Sequence, residues 1–288
     1  MIPAMTTTPS KGTVLITGCS SGIGEATAAR LVRGGWDVYA TARRPETLSA
    51  LGDAGCTTLA LDVTDERSMT TAVGAVVDGS GRIDALVNNA GYSQSGALEA
   101  VDVDDVRRQF ETNVFGLLRL TQLVLPAMRE QRSGRIVNIG SMGGKLTFPG
   151  GGAYHASKYA VEALSDALRF EVAGFGIQVV LIEPGLITTN FDAKAAAEMA
   201  EYAEGDGPYS RFNTSVMKTT TGVYDGPMAR LGGPPDAVAR VIEKALTKKH
   251  PRSRYLVTPS AYGAIASRRM MPDRVWDLAM KTQFPQPK

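Results

Sequence analysis

The stretch Thr13-Val-Leu-Ile-Thr-Gly-Cys-Ser-Ser-Gly-Ile-Gly24 decides the fold class of this chain. Its first five residues form a short apolar run typical of a buried strand, and a helical pattern with Ala26, Ala29 and Leu31 follows its glycines. Glycines let the backbone approach a ligand closely, and the exposed N–H groups at a helix N-terminus attract negative charge. The stretch therefore predicts a strand–turn–helix site for a phosphate-bearing ligand.

Composition and charge exclude several classes of protein. The 288 residues are 43% hydrophobic and 21% charged with a net charge of +2, which is ordinary for a globular protein. No dense basic block indicates a nucleic-acid partner or an anionic membrane surface. Cys19 and Cys56 form no CxxC pair and no Cys/His cluster, so we expect neither a disulfide framework nor a metal site.

The sequence carries no visible targeting or membrane signal. Its first residues lack the basic and apolar regions of a signal peptide, and no apolar run reaches the length of a membrane span. Together with the small number of cysteines, this indicates a cytoplasmic protein without an integral membrane segment.

Strand and helix patterns alternate along the chain, which predicts one doubly wound parallel sheet. We therefore expect an α/β protein: a flexible tail at 1–11, then a single Rossmann-type domain at 12–288 with a seven-stranded sheet flanked by helices. A long helix is predicted over 103–131, with Asn113 in its middle, where Asn is a poor helix former. A buried functional role and a surface position both explain that Asn. The predicted strands cover 13–17, 36–42, 57–62, 83–88, 135–139, 178–183 and 254–257.

Residues 186–235 interrupt the alternation. They predict an Ala-rich helix near 193–202 among loops rich in Gly, Thr and aromatic residues. An irregular segment of this length in a compact domain is usually a lid or binding loop, so we expect it to cover a substrate. After it we predict a helix, the last strand and a basic, Met-rich tail with one helix.

A second motif, SMGGKLTFPGGGAYHASK, occupies residues 141–158. Tyr154 and Lys158 are four residues apart on a predicted helix, so their polar tips can converge. A neighbouring ammonium lowers the pKa of a phenol, ordinarily about 10, towards the range useful for acid–base catalysis. Ser141, across the loop, could offer a hydroxyl to the same reacting oxygen. Alone, the Tyr–Lys pair is more often an ordinary solvated helix face, and only the rest of the chain favours the catalytic interpretation.

The end of the second strand indicates which dinucleotide binds. In dinucleotide-binding folds an acidic residue here binds the ribose 2′-hydroxyl, whereas an arginine accommodates a 2′-phosphate. This strand ends in Thr41-Ala42-Arg43-Arg44, with no carboxylate. The pattern favours NADP(H) over NAD(H), although solvated loop arginines also explain it.

Taken together, the motifs resemble the short-chain dehydrogenase/reductase family, with matching order and spacing over about residues 12–190. They are Thr17-Gly18-x-x-x-Gly22-Ile23-Gly24, Asn88-Asn89-Ala90-Gly91, Asn113, Ser141, Tyr154-x-x-x-Lys158 and Pro184-Gly185.

The resemblance implies a role for each catalytic candidate. Tyr154 would be the proton donor in carbonyl reduction or the base in alcohol oxidation, and Ser141 would orient the substrate oxygen. Lys158 would hold the nicotinamide ribose and lower the pKa of Tyr154, while Asn113 would anchor a water that links Lys158 to a proton relay. His155 is not a catalytic position of the family, and we expect it to be a bystander.

The resemblance also implies a set of cofactor-binding residues. Gly18, Ser20, Gly22 and Ile23 would cradle the pyrophosphate and adenosine ribose, Arg43 would bind the 2′-phosphate, Asp62 and Val63 would contact the adenine, Asn89 the inner ribose and Thr188 the carboxamide. Ser21, Gly24, Ala90, Gly91, Tyr154, Lys158, Pro184, Gly185 and Ile187 complete the set.

A finer resemblance points to the hydroxysteroid and retinol dehydrogenase branch, which implies an extended apolar ketone, aldehyde or alcohol as substrate. Candidate substrate contacts are Ser141, Tyr154, Gly144, Phe148 and Phe191, with the segments 92–96 and 144–148 at the flanks of the site. Ordinary core and loop roles explain the apolar residues equally well. The resemblance further suggests a homodimer or homotetramer, with the helices of Asn113 and Lys158 as contact faces.

Two other functions remain open from the sequence. One is an NADP(H)-binding regulator or scaffold without turnover, which would typically carry a broken Ser/Tyr/Lys set, whereas the set is intact here. The other is a lyase or epimerase on the same fold, which usually carries a longer substrate domain.

Overall fold

The computed structural model describes residues 10–189, 202, 207–223 and 226–287. Within these ranges it contains one seven-stranded sheet in the order β3-β2-β1-β4-β5-β6-β7, with every pair of neighbours parallel. The predicted doubly wound sheet is confirmed. The strands are β1 Thr13–Ile16, β2 Asp37–Ala42, β3 Thr57–Ala60, β4 Ala85–Asn88, β5 Gly134–Ile139, β6 Ile177–Pro184 and β7 Arg254–Val257.

Helices cover both faces of the sheet. They are α1 Gly22–Arg33, α2 Ser49–Asp53, α3 Glu66–Ser80, α4 Val103–Phe110, α5 Leu117–Glu130, α6 Gly152–Glu171, α7 Ser210–Gly222, α8 Pro235–Thr247, α9 Pro259–Met270 and α10 Asp273–Gln283. Short 3₁₀ segments occupy Pro45–Leu48, Met142–Gly144, Ala173–Phe175 and Pro227–Leu231.

Alternation along β1 separates the core into two layers. Val14 and Ile16 pack in the layer that contains Leu31 of α1 and Ile242 of α8, whereas Leu15 packs in the opposite layer with α3 and α5. A strand buried on both faces reads as a continuous apolar run, as in other parallel sheets. The sequence therefore reveals β1 as an apolar run, although it does not show which of its side chains point to which layer.

The predicted helix over 103–131 is interrupted by a π-helical turn, Glu111–Gly116, which joins α4 to α5. Gly116 in this turn packs so closely that an added Cβ would lie 2.4 Å from the carbonyl oxygen of Val63. Asn113 lies within the turn and is 1% exposed, so the surface explanation for this residue is wrong. Such π turns often occur at functional sites, because they reorient one side chain inside a helix.

Three segments differ from the sequence-based expectation. Lys11, predicted to lie in the tail, donates its N–H to the carbonyl oxygen of Gly35 at 2.9 Å, while residues 1–9 lie outside the described part of the chain. The stretch 210–222, predicted as loop, is the helix α7. The basic tail holds two helices instead of one, because Pro272 ends the helical pattern and leaves Met271 extended. Residues 193–201 of the predicted Ala-rich helix also lie outside the described residues.

Within the described residues, no helix has both the length and the apolar character needed to cross a bilayer.

Candidate active site

A cavity of about 1620 Å³ runs along the carboxyl ends of the strands. It spans the point where the chain order reverses, between β1 and β4, which is where ligands bind in open α/β sheets. A pocket for one drug-sized molecule has a volume of about 300–1,000 Å³. The cavity therefore has room for a dinucleotide and a second molecule.

The glycine-rich turn after β1 presents backbone to this cavity. Gly18 and Gly22 have φ angles of +71° and +64°, the left-handed region that favours glycine, and both line the cavity. Ser21 at the start of α1 makes no side-chain capping bond, so the N–H groups of the first turn can meet an anion. The turn fits a pyrophosphate. Cys19 within it is buried, which raises the pKa of its thiol to about 12 and leaves it unreactive.

Gly24 and Asn89 brace this turn from behind. The side-chain amide of Asn89 donates to the carbonyl oxygens of Thr17 at 2.9 Å and Gly18 at 3.1 Å. Gly24 is buried against the same groups, and an added Cβ would lie 2.3 Å from the carbonyl oxygen of Gly18. Gly24 therefore lets α1 approach β1 closely and does not itself line the cavity.

We expect Gly24→Ala to lower the free energy of unfolding by about 1–3 kcal/mol, because the backbone atoms it meets cannot move aside cheaply. The cofactor affinity should fall with it, since the turn must shift. Urea denaturation and calorimetric titration with NADPH measure the two effects.

Gly74→Ala is the matched control for that variant. Gly74 lies inside α3 with nothing within 4 Å of the added Cβ, so alanine should stabilise the helix by about 0.5–1 kcal/mol. A Gly24→Ala protein as stable as the wild type would contradict the packing argument.

Tyr154 and Lys158 lie on one face of α6, as their spacing predicts. The Nζ atom of Lys158 is 5.8 Å from the centre of the Tyr154 ring and donates to the carbonyl oxygen of Ile139 at 2.9 Å. Lys158 is 7% exposed, and burial lowers the pKa of its ammonium from the ordinary 10.5 to about 8. Ser141 lies two residues after the end of β5 and accepts a hydrogen bond from the backbone N–H of Gly143 at 3.0 Å. Ser141, Tyr154 and Lys158 all line the cavity.

Asn113 lies directly behind this group. Its amide oxygen accepts from the backbone N–H of Tyr92 at 3.0 Å, and its amide nitrogen donates to the carbonyl oxygen of Tyr92 and the hydroxyl of Ser157. Gly91 separates Asn113 from Lys158, because a Cβ there would lie 3.0 Å from Asn113 Oδ1 and 3.9 Å from Lys158 Nζ. The side-chain amide of Asn113 thus fixes the backbone of Tyr92, next to Gly91 and Lys158. The predicted water-anchoring role of Asn113 stays a prediction.

Most predicted site residues meet in this one cavity. Gly144 does not line it, because it packs against the carbonyl oxygen of Lys158. Thr188 is exposed and does not line the cavity, whereas its neighbour Thr189 does. Phe191 lies outside the described residues. The predicted residues that line the cavity are Gly18, Ser20, Ser21, Gly22, Ile23, Arg43, Asp62, Val63, Asn89, Ala90, Gly91, Ser141, Phe148, Tyr154, Lys158, Pro184, Gly185 and Ile187.

The cavity also has an apolar wall, of which the sequence predicts only Phe148 as a site residue. The ring of Phe148 lies 6.0 Å from that of Trp276 on α10, and Met280 and Phe284 pack beside them with Val216 of α7. Trp276 and Met280 are four residues apart on α10 and share one helix face, and Phe284 directly follows the end of the helix. That spacing was the available signal. This apolar wall favours an apolar ligand body.

A buried carboxylate pair lies one helical turn beyond Lys158. Glu162 and Glu183 are 5% and 3% exposed, and Arg254 Nε lies 3.1 Å from a Glu162 oxygen and 3.3 Å from a Glu183 oxygen. Burial and the adjacent Glu162 raise the pKa of Glu183 to about 8. Glu162 also forms an ion pair with Lys145, at the end of the loop that carries Ser141. The Lys145–Glu162 ion pair therefore connects that loop to α6.

Comparison with known proteins agrees with this geometry. A family model described as short chain dehydrogenase matches residues 12–200. Oxidoreductase BOA17 of Botryotinia fuckeliana is 37% identical over 254 residues, which cover 85% of this chain and 88% of the relative. The 3-ketodihydrosphingosine reductase of Bacteroides thetaiotaomicron is 36% identical over 269 residues, which cover 93% of this chain and 96% of the relative.

Solved structures give the same result. A short-chain dehydrogenase from Streptomyces avermitilis superimposes with a TM-score of 0.78 at 35% identity, covering 95% of this chain and 96% of that one. Among structures with this fold, one is a complex with NADP⁺ and another a complex with NADH. The likeness of fold therefore leaves the choice between the two cofactors open.

Proposed function

Because this chain belongs to the short-chain dehydrogenase family, we propose that it reduces a carbonyl compound with NADPH or oxidises the corresponding alcohol. The observation that carries the proposal is that Ser141, Tyr154 and Lys158 line one cavity large enough for cofactor and substrate, with Lys158 Nζ 5.8 Å from the Tyr154 ring centre. A regulator without turnover would have no need of this intact set.

In the proposed mechanism, Tyr154 gives its phenolic proton to the substrate oxygen. Lys158, charged and buried beside the ring, stabilises the phenolate that forms. Ser141 accepts from the N–H of Gly143, so its own O–H can donate to the same substrate oxygen. Bound NADPH would supply the hydride, held by the glycine turn of residues 18–24 and by Lys158.

We propose NADP(H) as the preferred cofactor because Arg43 lines the cavity at the carboxyl end of β2, next to Ala42. A guanidinium there would pair with a 2′-phosphate and would have no partner on NAD(H).

Arg43→Ala should raise the KM for NADPH by about 10- to 100-fold, which corresponds to the loss of a charge-assisted hydrogen bond. The KM for NADH should stay within a factor of about two, since no phosphate is involved. Initial rates with both cofactors measure the difference. Arg44→Ala is the matched control, because Arg44 is exposed beside Arg43 and does not line the cavity. An equal loss for both cofactors in Arg43→Ala would remove the 2′-phosphate argument.

We propose an extended apolar ketone, aldehyde or alcohol as substrate, of steroid or retinoid type. Phe148, Trp276 and Met280 give the cavity an apolar wall, which suits a ligand without charges in its body. One of the relatives carries the name of a ketone reductase. These two observations support the substrate class.

The experiment that tests the function is oxidation of NADPH and NADH by the purified protein with a panel of ketones, aldehydes and quinones, including steroids and retinal. Turnover of bulky apolar carbonyls with NADPH would support both the activity and the substrate class. Tight NADPH binding without turnover on any of them would favour the regulatory alternative. A preference for NADH would contradict the role of Arg43.

We also propose a homodimer or homotetramer. Phe115, beside Asn113, and Phe170 on α6 are 51% and 87% exposed, on the two helices expected to meet a partner. Large exposed apolar side chains are typical of contact faces.

A further inference from the structure

His155 directly follows Tyr154, and its ring is enclosed between two glycines of the preceding loop. A Cβ added to Gly143 would lie 2.4 Å from His155 Nδ1, and one added to Gly151 would lie 2.7 Å from His155 Nε2. The residue is 7% exposed. The imidazole ring therefore packs directly against both glycines, and a side chain at either position would clash with it.

The ring makes one hydrogen bond that determines its tautomer. Nδ1 lies 3.0 Å from the carbonyl oxygen of Gly143. A carbonyl only accepts, so Nδ1 must carry the proton and donate it. Burial lowers the pKa of the imidazole, which keeps the ring neutral at neutral pH.

Gly143, which accepts the hydrogen bond from His155, also donates one to Ser141. The N–H of Gly143 donates to Ser141 Oγ at 3.0 Å, while its carbonyl accepts from His155. The two bonds use the two polar groups of one residue, so a shift of Gly143 away from His155 moves the donor that holds the serine hydroxyl. The rings of Tyr154 and Phe148 also lie beside the imidazole, with ring centres 5.7 and 5.9 Å away.

We propose that His155 is a positioning residue for the reaction, which holds the Ser141 hydroxyl in its productive orientation through hydrogen bonds on both sides of Gly143. The inference rests on the proposed function of Ser141. It gives α6 two tasks at adjacent positions: Tyr154 carries the proton, and His155 fixes the loop that carries the partner hydroxyl. The Lys145–Glu162 ion pair ties the end of this loop to the same helix.

The variants His155→Leu and His155→Asn test the hydrogen bond. Their side chains branch at the same atom, but only asparagine keeps a donor near the position of Nδ1. We expect His155→Leu to lower kcat by about 10- to 100-fold, the usual cost of a small misplacement of a catalytic group. His155→Asn should stay within about three-fold of the wild type. Calorimetry should give the same Kd for NADPH in all three proteins, and circular dichroism should report the same fold.

A double variant separates positioning from general damage. If His155 acts through Ser141, then His155→Leu should cost no further activity in a Ser141→Ala background. Wild-type kcat in His155→Leu, equal impairment of the leucine and asparagine variants, or a full additional loss in the double variant would each overturn the proposal.

A measurement independent of turnover separates this proposal from the proposed function. The chain has only two histidines, His155 and His250, so ¹⁵N-labelled histidine gives two sets of ring signals, and His155→Asn identifies the buried one. We expect the neutral Nδ1–H tautomer at neutral pH. The Nε2–H tautomer would overturn the positioning role even in an active enzyme. Absence of any activity together with the Nδ1–H tautomer would instead contradict the proposed function.

Discussion

Tyr154→Phe is expected to lower kcat by about three orders of magnitude while NADPH still binds, because the substitution removes only the phenolic oxygen, which we propose as the proton donor to substrate. The ring itself keeps its contacts with His155 at 5.7 Å and with the ammonium of Lys158 at 5.8 Å. The helix and the cofactor end of the cavity should therefore be unchanged. Steady-state rates with the best carbonyl substrate and calorimetric titration with NADPH measure the two quantities.

The matched control for this variant is Tyr159→Phe. Tyr159 lies on the same helix, five residues further on, and is 45% exposed. Loss of its hydroxyl should leave kcat unchanged, since Tyr159 is not among the described residues that line the cavity. A Tyr154→Phe protein that keeps more than about a tenth of the wild-type kcat would exclude Tyr154 as the main proton donor, given the usual size of acid–base contributions.

Lys158→Met is expected to lower kcat by about 10²- to 10³-fold and at the same time to stabilise the protein. The loss of activity follows because the phenolate of Tyr154 no longer has a neighbouring positive charge. The gain in stability follows because a buried ammonium is costly: the fall of its pKa from 10.5 to about 8 corresponds to about 3 kcal/mol. The carbonyl oxygen of Ile139 loses its donor, which subtracts about 1 kcal/mol.

This gain should depend on pH in a defined direction. Below pH 8 the buried lysine is charged in the folded state, so the full penalty is present. Between pH 8 and 10.5 the folded protein holds it neutral while the unfolded chain still binds the proton, so the wild type gains stability as pH rises. The advantage of Lys158→Met is therefore largest near pH 7 and has almost disappeared at pH 10.5.

Urea denaturation of both proteins at pH 7 and pH 10 measures this difference. Lys244→Met serves as control, because Lys244 is exposed on α8 and its replacement should change the free energy of unfolding by less than about 0.5 kcal/mol. An advantage of Lys158→Met that is the same at both pH values would show that the charge of Lys158 is not the cause.

The central strands β1 and β4 could be predicted from the sequence because all their residues are buried and each reads as a short apolar run. The π turn at Asn113 could not. It depends on the contact of Gly116 with Val63, residues 53 positions apart whose meeting no local pattern records. The helix α7 was missed for a different reason: Thr219, Thr220 and Thr221 are weak helix formers, and packing of Val216 against α10 overrides their preference.

The candidate site divides in the same way. Site residues that lie next to glycine turns or strand ends could be predicted from the sequence, because the carboxyl ends of parallel strands meet at one edge of the sheet. The contacts of His155 depend on how Gly143 and Gly151 pack against its ring, and no local sequence pattern records that packing. The apolar wall depends on where α10 docks, more than 120 residues after Phe148.

Trp276 also provides an intrinsic fluorescence signal for ligand binding. The chain has only two tryptophans, and Trp36 is enclosed in the core at 8% exposure and does not line the cavity. Trp276 lines the cavity, with the Arg268 guanidinium 5.6 Å from its ring centre. An indole in this place changes its emission when solvent around it is replaced by an apolar molecule, and reduced nicotinamide absorbs in the range where indoles emit. Entry of substrate and of cofactor can thus be followed by light alone, without a label.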